Sequence, residues 1–133
     1  MANTATLTIN LSYVGPDGNL VEMPTDSVSA SYSAQNHGNI DVPDATAATT
    51  TFPVPFGAIT TDATCGYVKN LTGQALLVDV NGAGNAFALP SGSTFPWGFA
   101  GPSSTPILSI DLTTTAIQAD LGSIVYHLFG DPA

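Results

Sequence analysis

Apolar and polar side chains alternate along much of this chain. Over residues 4–14, Leu7, Ile9, Leu11 and Tyr13 fall on one parity and Thr6, Thr8, Asn10 and Ser12 on the other, the period-two signature of a half-buried strand. The run stops at Gly15-Pro16-Asp17-Gly18-Asn19. Proline presets the second position of a turn and glycine accepts a positive φ, so a hairpin or tight corner is predicted there. Residues 20–23 and 28–34 supply two more strands on either side of Pro24-Thr25-Asp26. Residues 35–48 are rich in Asn, Gly, Asp and Ala around Pro43 and read as the longest loop of the chain, a place for mobility or partner contact. In Phe52-Pro53-Val54-Pro55-Phe56 the alternate prolines lack the donors a central ladder needs, which predicts an edge strand or polyproline-like connector.

Residues 64–70 and 74–81 flank Leu71-Thr72-Gly73 and predict a hairpin, with Gln74, Leu76, Val78 and Val80 on one face. Asn81-Gly82 offers a second turn, and further strands follow at 87–89, 94–99, 106–115 and 122–129. Only residues 115–121 have room for a helical turn. About eight to ten short strands, with turn chemistry about every 8 to 12 residues, predict an all-β fold. The preferred arrangement is a β-sandwich of two four-stranded sheets in jelly-roll order, with a closed barrel as the second choice. The 133 residues form one sandwich domain, 1–133, with an extended amino-terminal strand or arm and the loop at 35–48.

Charge changes the picture more than length does. Charged residues are 8% of the chain, against roughly 25% in an average soluble protein, while apolar residues stand at 44%. Ten acidic residues face a single base, Lys69, with no arginine, for a net charge of −9. The neutralisation of phosphates that nucleic-acid binding requires is therefore missing, and an anionic membrane surface is disfavoured by the same sign. No apolar run approaches the roughly 18 to 20 residues needed to span a bilayer. The amino terminus has neither the basic nor the apolar segment of a secretory signal, so either this is a mature form or no signal is needed. Cys65 stands alone and can complete neither an intramolecular disulfide nor a CxxC pair. A mean hydropathy of +0.25 argues for folding, not disorder.

Catalytic side chains are scarce: two histidines, one glutamate and one lysine. The aspartates mostly adjoin glycine, asparagine or proline, where they serve turns, and no GxSxG elbow is present. The stretch from His37 to Asp44 places an imidazole and two carboxylates within eight residues, yet reads better as a solvated loop than as a metal site. Asp79-Val80-Asn81-Gly82 opens like a calcium loop without the later acidic ligands. His127 reads as a structural or interface histidine and Cys65 as a small core residue. Asn10-Leu11-Ser12 and Asn70-Leu71-Thr72 match the glycosylation pattern by chance. The chain is thus not expected to be an enzyme, to use a cofactor or to hold a metal.

Phe95-Pro96-Trp97-Gly98-Phe99 sets three aromatics on one side of an extended segment. Three readings stay open for this row: capping of the core, a protein-protein anchor, or a stacking platform for a sugar ring. A surface built from Thr, Ser, Ala, Asn and Gly loses little side-chain entropy when pinned and few ionic groups need desolvating, which suits permanent assembly. Candidate interface residues are the Phe95, Trp97 and Phe99 row, Phe52 and Phe56 on the proline-rich edge, His37 in the 35–48 loop and Tyr126 in the last strand, together with an amino-terminal strand pairing with a neighbour.

The segments Val68-Lys69-Asn70-Leu71-Thr72-Gly73-Gln74, Leu76-Leu77-Val78-Asp79-Val80-Asn81-Gly82 and Leu89-Pro90-Ser91-Gly92, with the ending Gly122-Ser123-Ile124-Val125-Tyr126 and Gly130-Asp131-Pro132, carry a resemblance. In these the chain resembles small accessory proteins of tailed-bacteriophage virions, of the β-sandwich head-decoration (cement) class. The likeness covers roughly the carboxy-terminal half, and no contact residue is carried over from it. It implies self-association, often as a trimer, binding to the major capsid protein or another virion protein, and a place in the virion after assembly in the host cytoplasm. It implies no catalysis and no cofactor. A tail, connector or fibre-base component fits the same composition. A carbohydrate-binding or receptor-contact module would use Trp97 as platform and the 79–85 loop for polar contacts.

Overall fold

The computed structural model describes residues 3–84, 86–99, 106–117 and 122–132. All twelve elements are strands: β1 (Asn3–Ile9), β2 (Ser12–Val14), β3 (Leu20–Glu22), β4 (Asp26–Tyr32), β5 (Ala34–Val42), β6 (Thr51–Pro53), β7 (Asp62–Asn70), β8 (Leu76–Val80), β9 (Phe87–Leu89), β10 (Thr94–Gly98), β11 (Ile110–Thr114) and β12 (Gly122–Asp131). The last eight build two four-stranded antiparallel sheets, β10-β7-β12-β5 and β6-β11-β8-β9. Within them the first strand pairs with the last, the second with the seventh, the third with the sixth and the fourth with the fifth. One long hairpin rolled onto itself in this way is a jelly roll, the predicted order. The described residues hold twelve strands and not eight to ten, because the strand expected over 4–14 divides into β1 and β2 and because β5 stands where loop is expected.

The core lies between the two sheets. Ile124, Tyr126 and Leu128 of β12, with Val42, Ala63, Val68 and Trp97, meet Leu76, Val78, Leu89, Ile110 and Leu112 of the facing sheet. Two aromatic rings lie over the glycine directly across the ladder. Trp97 opposes Gly66, where a Cβ would stand 2.8 Å from the indole. Tyr126 opposes Gly38, where a Cβ would stand 3.0 Å from the phenol oxygen.

That second pair corrects the loop expected over 35–48. Residues 35–42 belong to β5 and pair along its whole length with β12, and loop begins only after Val42. The inward positions of β5 are Ala34, Asn36, Gly38, Ile40 and Val42. Gly38 makes room for Tyr126, and the Asn36 amide donates to the Pro55 carbonyl at 2.7 Å, so residues that look like loop chemistry serve as core-facing strand positions.

The hairpin expected at 71–73 is also corrected, since β7 and β8 lie in different sheets and residues 71–75 carry the chain between them. Gly73 takes no positive φ. The corner is built instead by the fully buried Asn70. Its amide donates to the carbonyls of Gln74 at 2.7 Å and Leu89 at 2.9 Å, and its oxygen accepts from the Thr72 amide at 2.9 Å and hydroxyl at 2.6 Å. Asn81 and Gly82 do take positive φ, 59° and 62°, as that turn requires. Strand β6 sits at a sheet edge, as its prolines demand. The helical turn considered over 115–121 falls largely outside the described residues.

Candidate docking surface

Strands β1 to β4 form one continuous β-hairpin ahead of the jelly roll. The β1–β4 register runs from Asn3↔Tyr32 to Ile9↔Asp26, and β2–β3 continues it from Ser12↔Glu22 to Val14↔Leu20. The Met23 amide, donating to the Leu11 carbonyl at 2.9 Å, joins the halves. At the tip, the Gly18 amide donates to Gly15 O at 2.9 Å, and Gly18 has a φ of 81°, as the sequence required of this turn. Asp17 accepts from the Asn19 amide at 3.1 Å and from its side chain at 2.7 Å. These bonds hold the Asp17 carboxyl below its ordinary range.

The two halves of the hairpin differ in what covers them. In the proximal half Ala5 and Ala30 are buried, and Tyr32 sets its ring edge-on to Phe129 at 4.8 Å. Leu7 and Val28 lie over Gly98, where a Cβ would meet Leu7 at 3.3 Å. The ribbon thus crosses the outer face of β12, β7 and β10. Its opposite face carries hydroxyl pairs, Thr6 with Ser29 at 2.9 Å and Thr8 with Ser27 at 3.3 Å.

Beyond Ile9 and Asp26 the ribbon passes edge strand β10, and six large apolar side chains stand in solvent: Ile9 (48% exposed), Leu11 (60%), Tyr13 (51%), Val14 (66%), Leu20 (62%) and Met23 (48%). A depression of about 340 Å³ lined by Asn10, Leu11, Ser12, Glu22, Met23 and Thr25 marks the joint between the halves. Fully burying a side chain of this size is worth about 1.5–3 kcal/mol, so covering six half-exposed ones yields roughly 5 kcal/mol or more before association costs.

Most of the interface residues named from sequence lie elsewhere. Trp97 is 6% exposed, donates its indole N–H to the Ala63 carbonyl at 2.8 Å and belongs to the core. Phe95 contacts Trp97 and Phe87 at ring separations of 5.7 and 5.0 Å. Phe95, Phe99, Phe52 and Phe56 are half-buried against the same core, and Tyr126 is buried within it. The aromatic row therefore packs against the core, with Trp97 buried and Phe95 and Phe99 partly so. Of the seven, only His37 is exposed.

The sequence predicts an amino-terminal strand or arm but does not single out its distal apolar residues, because alternation assigns side chains to two faces without saying whether a second layer covers either. A signal was present: Val14 and Leu20 have the opposite parity to Tyr13 and Val21, so both faces of the tip are apolar.

The chemistry-bearing groups are dispersed. Cys65 is buried, and burial pushes its thiol pKa up. Among the described residues, no three His, Cys, Asp or Glu side chains converge to hold a metal ion. Asp79 and Asp111 are directly opposed on β8 and β11. Asn70 of the second glycosylation pattern is sealed in the core. The three basic side chains share one surface. Lys69, His127 and His37 all point outward from the β10-β7-β12-β5 sheet, where His127 is flanked across the ladder by His37 and Tyr67. Compared with known proteins, the chain matches no family model, and no curated protein is significantly similar to it.

Proposed function

We propose that the protein is a structural virion protein of a tailed bacteriophage, decorating and stabilising the capsid by binding across capsid subunits, with the distal hairpin as its docking element. The observation that carries this reading is the arm: six large apolar side chains held out on a ribbon beyond a jelly roll whose own core is closed. Such a patch on a free monomer loses apolar burial and invites association. Scarce ionic groups, 8% of residues, keep the desolvation cost of covering the surface low. The resemblance of the carboxy-terminal half to head-decoration proteins supplies the partner, the major capsid protein or another virion protein. It also supplies self-association as a trimer and a cytoplasmic assembly route ending in the virion. The role is mechanical and needs no catalysis: a copy seated over a joint between shell subunits adds buried area where the shell must resist internal pressure.

The test is cosedimentation with purified undecorated capsids, with solution mass measured in parallel. Saturable binding is expected. It should be lost when Leu11, Tyr13, Val14 and Leu20 are all replaced by serine, while the thermal unfolding of the jelly roll stays where it was. A chain that remains strictly monomeric and binds no shell overturns the proposal. Binding that survives the four substitutions removes the arm from it.

A further inference from the structure

We propose that His37 and His127 form a two-imidazole site for a borderline divalent transition-metal ion, Cu²⁺, Ni²⁺ or Zn²⁺. The inference is independent of the virion reading.

The two residues are directly opposed on β5 and β12 and point to the same outer face of the sheet. Their ring centroids are 5.0 Å apart, with the planes at 49°. A metal–imidazole bond of about 2.0–2.1 Å places each ring centroid about 3.2 Å from the ion. Two imidazoles subtending about 90–110° at one ion are therefore about 4.5–5.2 Å apart, centroid to centroid. The ladder already sets that spacing. A second observation comes from His127 itself, whose Nε2 is shielded from solvent and has no hydrogen-bond partner. Buried polar atoms are ordinarily satisfied, and one left open calls for an explanation.

The ring of His127 stacks on Phe129 at 4.6 Å and 19° and lies 6.2 Å from the ring of Tyr67. His37 is exposed, so its ring is the partner able to change rotamer.

The surroundings fix the class of ion. Outward neighbours of His37 on β5 are Gln35 and Asn39, and those of His127 on β12 are Val125 and Phe129. With neutral nitrogen donors and no carboxylate in these positions, the site favours Cu²⁺, Ni²⁺ and Zn²⁺ over Ca²⁺ or Mg²⁺. Lys69 lies on the same face, opposite Val125 and one row from His127. Its charge opposes the ion locally, while the net charge of −9 draws cations to the molecule as a whole. Water or a group from a neighbouring molecule completes the coordination.

The experiment titrates the full chain with CuCl₂, NiCl₂ or ZnCl₂ by calorimetry and records the electron paramagnetic resonance of the Cu²⁺ form. One ion per chain, tightest for Cu²⁺, with splitting from two nitrogens, is expected. His37→Gln and His127→Gln should each weaken Cu²⁺ binding at least about ten-fold. His37→Gln changes an exposed position and serves alone if His127→Gln does not fold. Absence of binding up to about 1 mM Cu²⁺, far weaker than two imidazoles should allow, overturns the proposal. So does binding that His37→Gln leaves unchanged, or a spectrum with a single nitrogen.

Discussion

In β12 the alternate residues Ile124, Tyr126 and Leu128 are buried against the facing sheet, whereas in the ribbon of β2 and β3 Tyr13, Val14 and Leu20 stand in solvent, on both faces of the ribbon. Both segments alternate and both pair antiparallel. The difference is the second layer. Strand β12 lies inside a rolled hairpin whose other half supplies a facing sheet, and the proximal half of the arm borrows the outer face of β12's own sheet through Leu7, Val28 and Tyr32. Among the described residues, the large apolar side chains of the distal half are left about half or more exposed. Alternation is a local property that assigns side chains to faces, while burial depends on topology and so on pairings between residues far apart in the chain. Apolar side chains in the jelly roll therefore contribute to stability, and those at the tip of the arm are available for association.

The largest effect that could break this comparison is at Trp97. Trp97→Ala removes a 6%-exposed indole and its bond to Ala63, and should cost about 3–5 kcal/mol in urea unfolding. Tyr13→Ala, at a residue 51% exposed, should change stability by no more than about 0.5 kcal/mol. Equal losses at the two positions would mean that the arm is part of the cooperative core.

Next in size is Asn70. Replacing it by alanine leaves the Gln74 and Leu89 carbonyls without their donor and frees the Thr72 groups that its oxygen accepts from. A loss of about 2–3 kcal/mol is expected. Asn10→Ala, which removes an exposed bond to Thr25 on the arm, should stay within about 0.5 kcal/mol. Thermal and urea unfolding of the pair of variants decides it.

Asn70 also shows where the sequence stops being legible. The jelly roll could be read because its strands are short, apolar on one parity and separated by turn chemistry, and the turns at Gly18 and Asn81-Gly82 could be read because positive φ has a residue signature. The corner after β7 could not, because a polar side chain replaces the backbone turn from inside the core. Strand β5 was hidden for a related reason: Asn36 and Gly38 face inward, and the bulk that fills the space is Tyr126, 88 positions away in the chain. The aromatic row was correctly placed on one side of an extended edge segment, and its side turned out to be the inner one. His37 was read as a loop residue and is a strand residue beside His127, a pairing visible only once β5 and β12 are in register.

A subtler contrast concerns Cys65, which is paired across the ladder with Gly98 and Phe129, the two positions on which the arm rests. Burial pushes its thiol pKa up, so little thiolate forms near neutrality. Alkylation of the native protein at pH 8 should be much slower than that of the urea-unfolded chain. Leu7→Ser, which loosens the proximal ribbon without touching the core between the sheets, should raise the native rate several-fold with little change in global stability. A rate unaffected by Leu7→Ser would show that the ribbon does not shield this face.

The smallest expected effect belongs to the tip. Asn19, through its amide and then its side chain, stabilises the ionised Asp17 carboxylate and lowers its pKa below the ordinary aspartate value. A carboxyl whose folded pKa is depressed contributes its stabilisation in full above the unfolded value and loses it as pH falls through the folded one. The tip should therefore hold its turn at neutral pH and loosen only below the usual carboxylate range. Because Asp17 is fully exposed, the effect stays local. The Asn19 amide resonance should titrate below the ordinary aspartate range, and Asp17→Asn should speed hydrogen exchange at Gly18 and Asn19 while leaving Ile124 and Leu128 in the core unchanged. Acid loosening that reached the core amides at the same pH would tie the arm to the jelly roll as one cooperative unit, and the contrast between the two regions would fail.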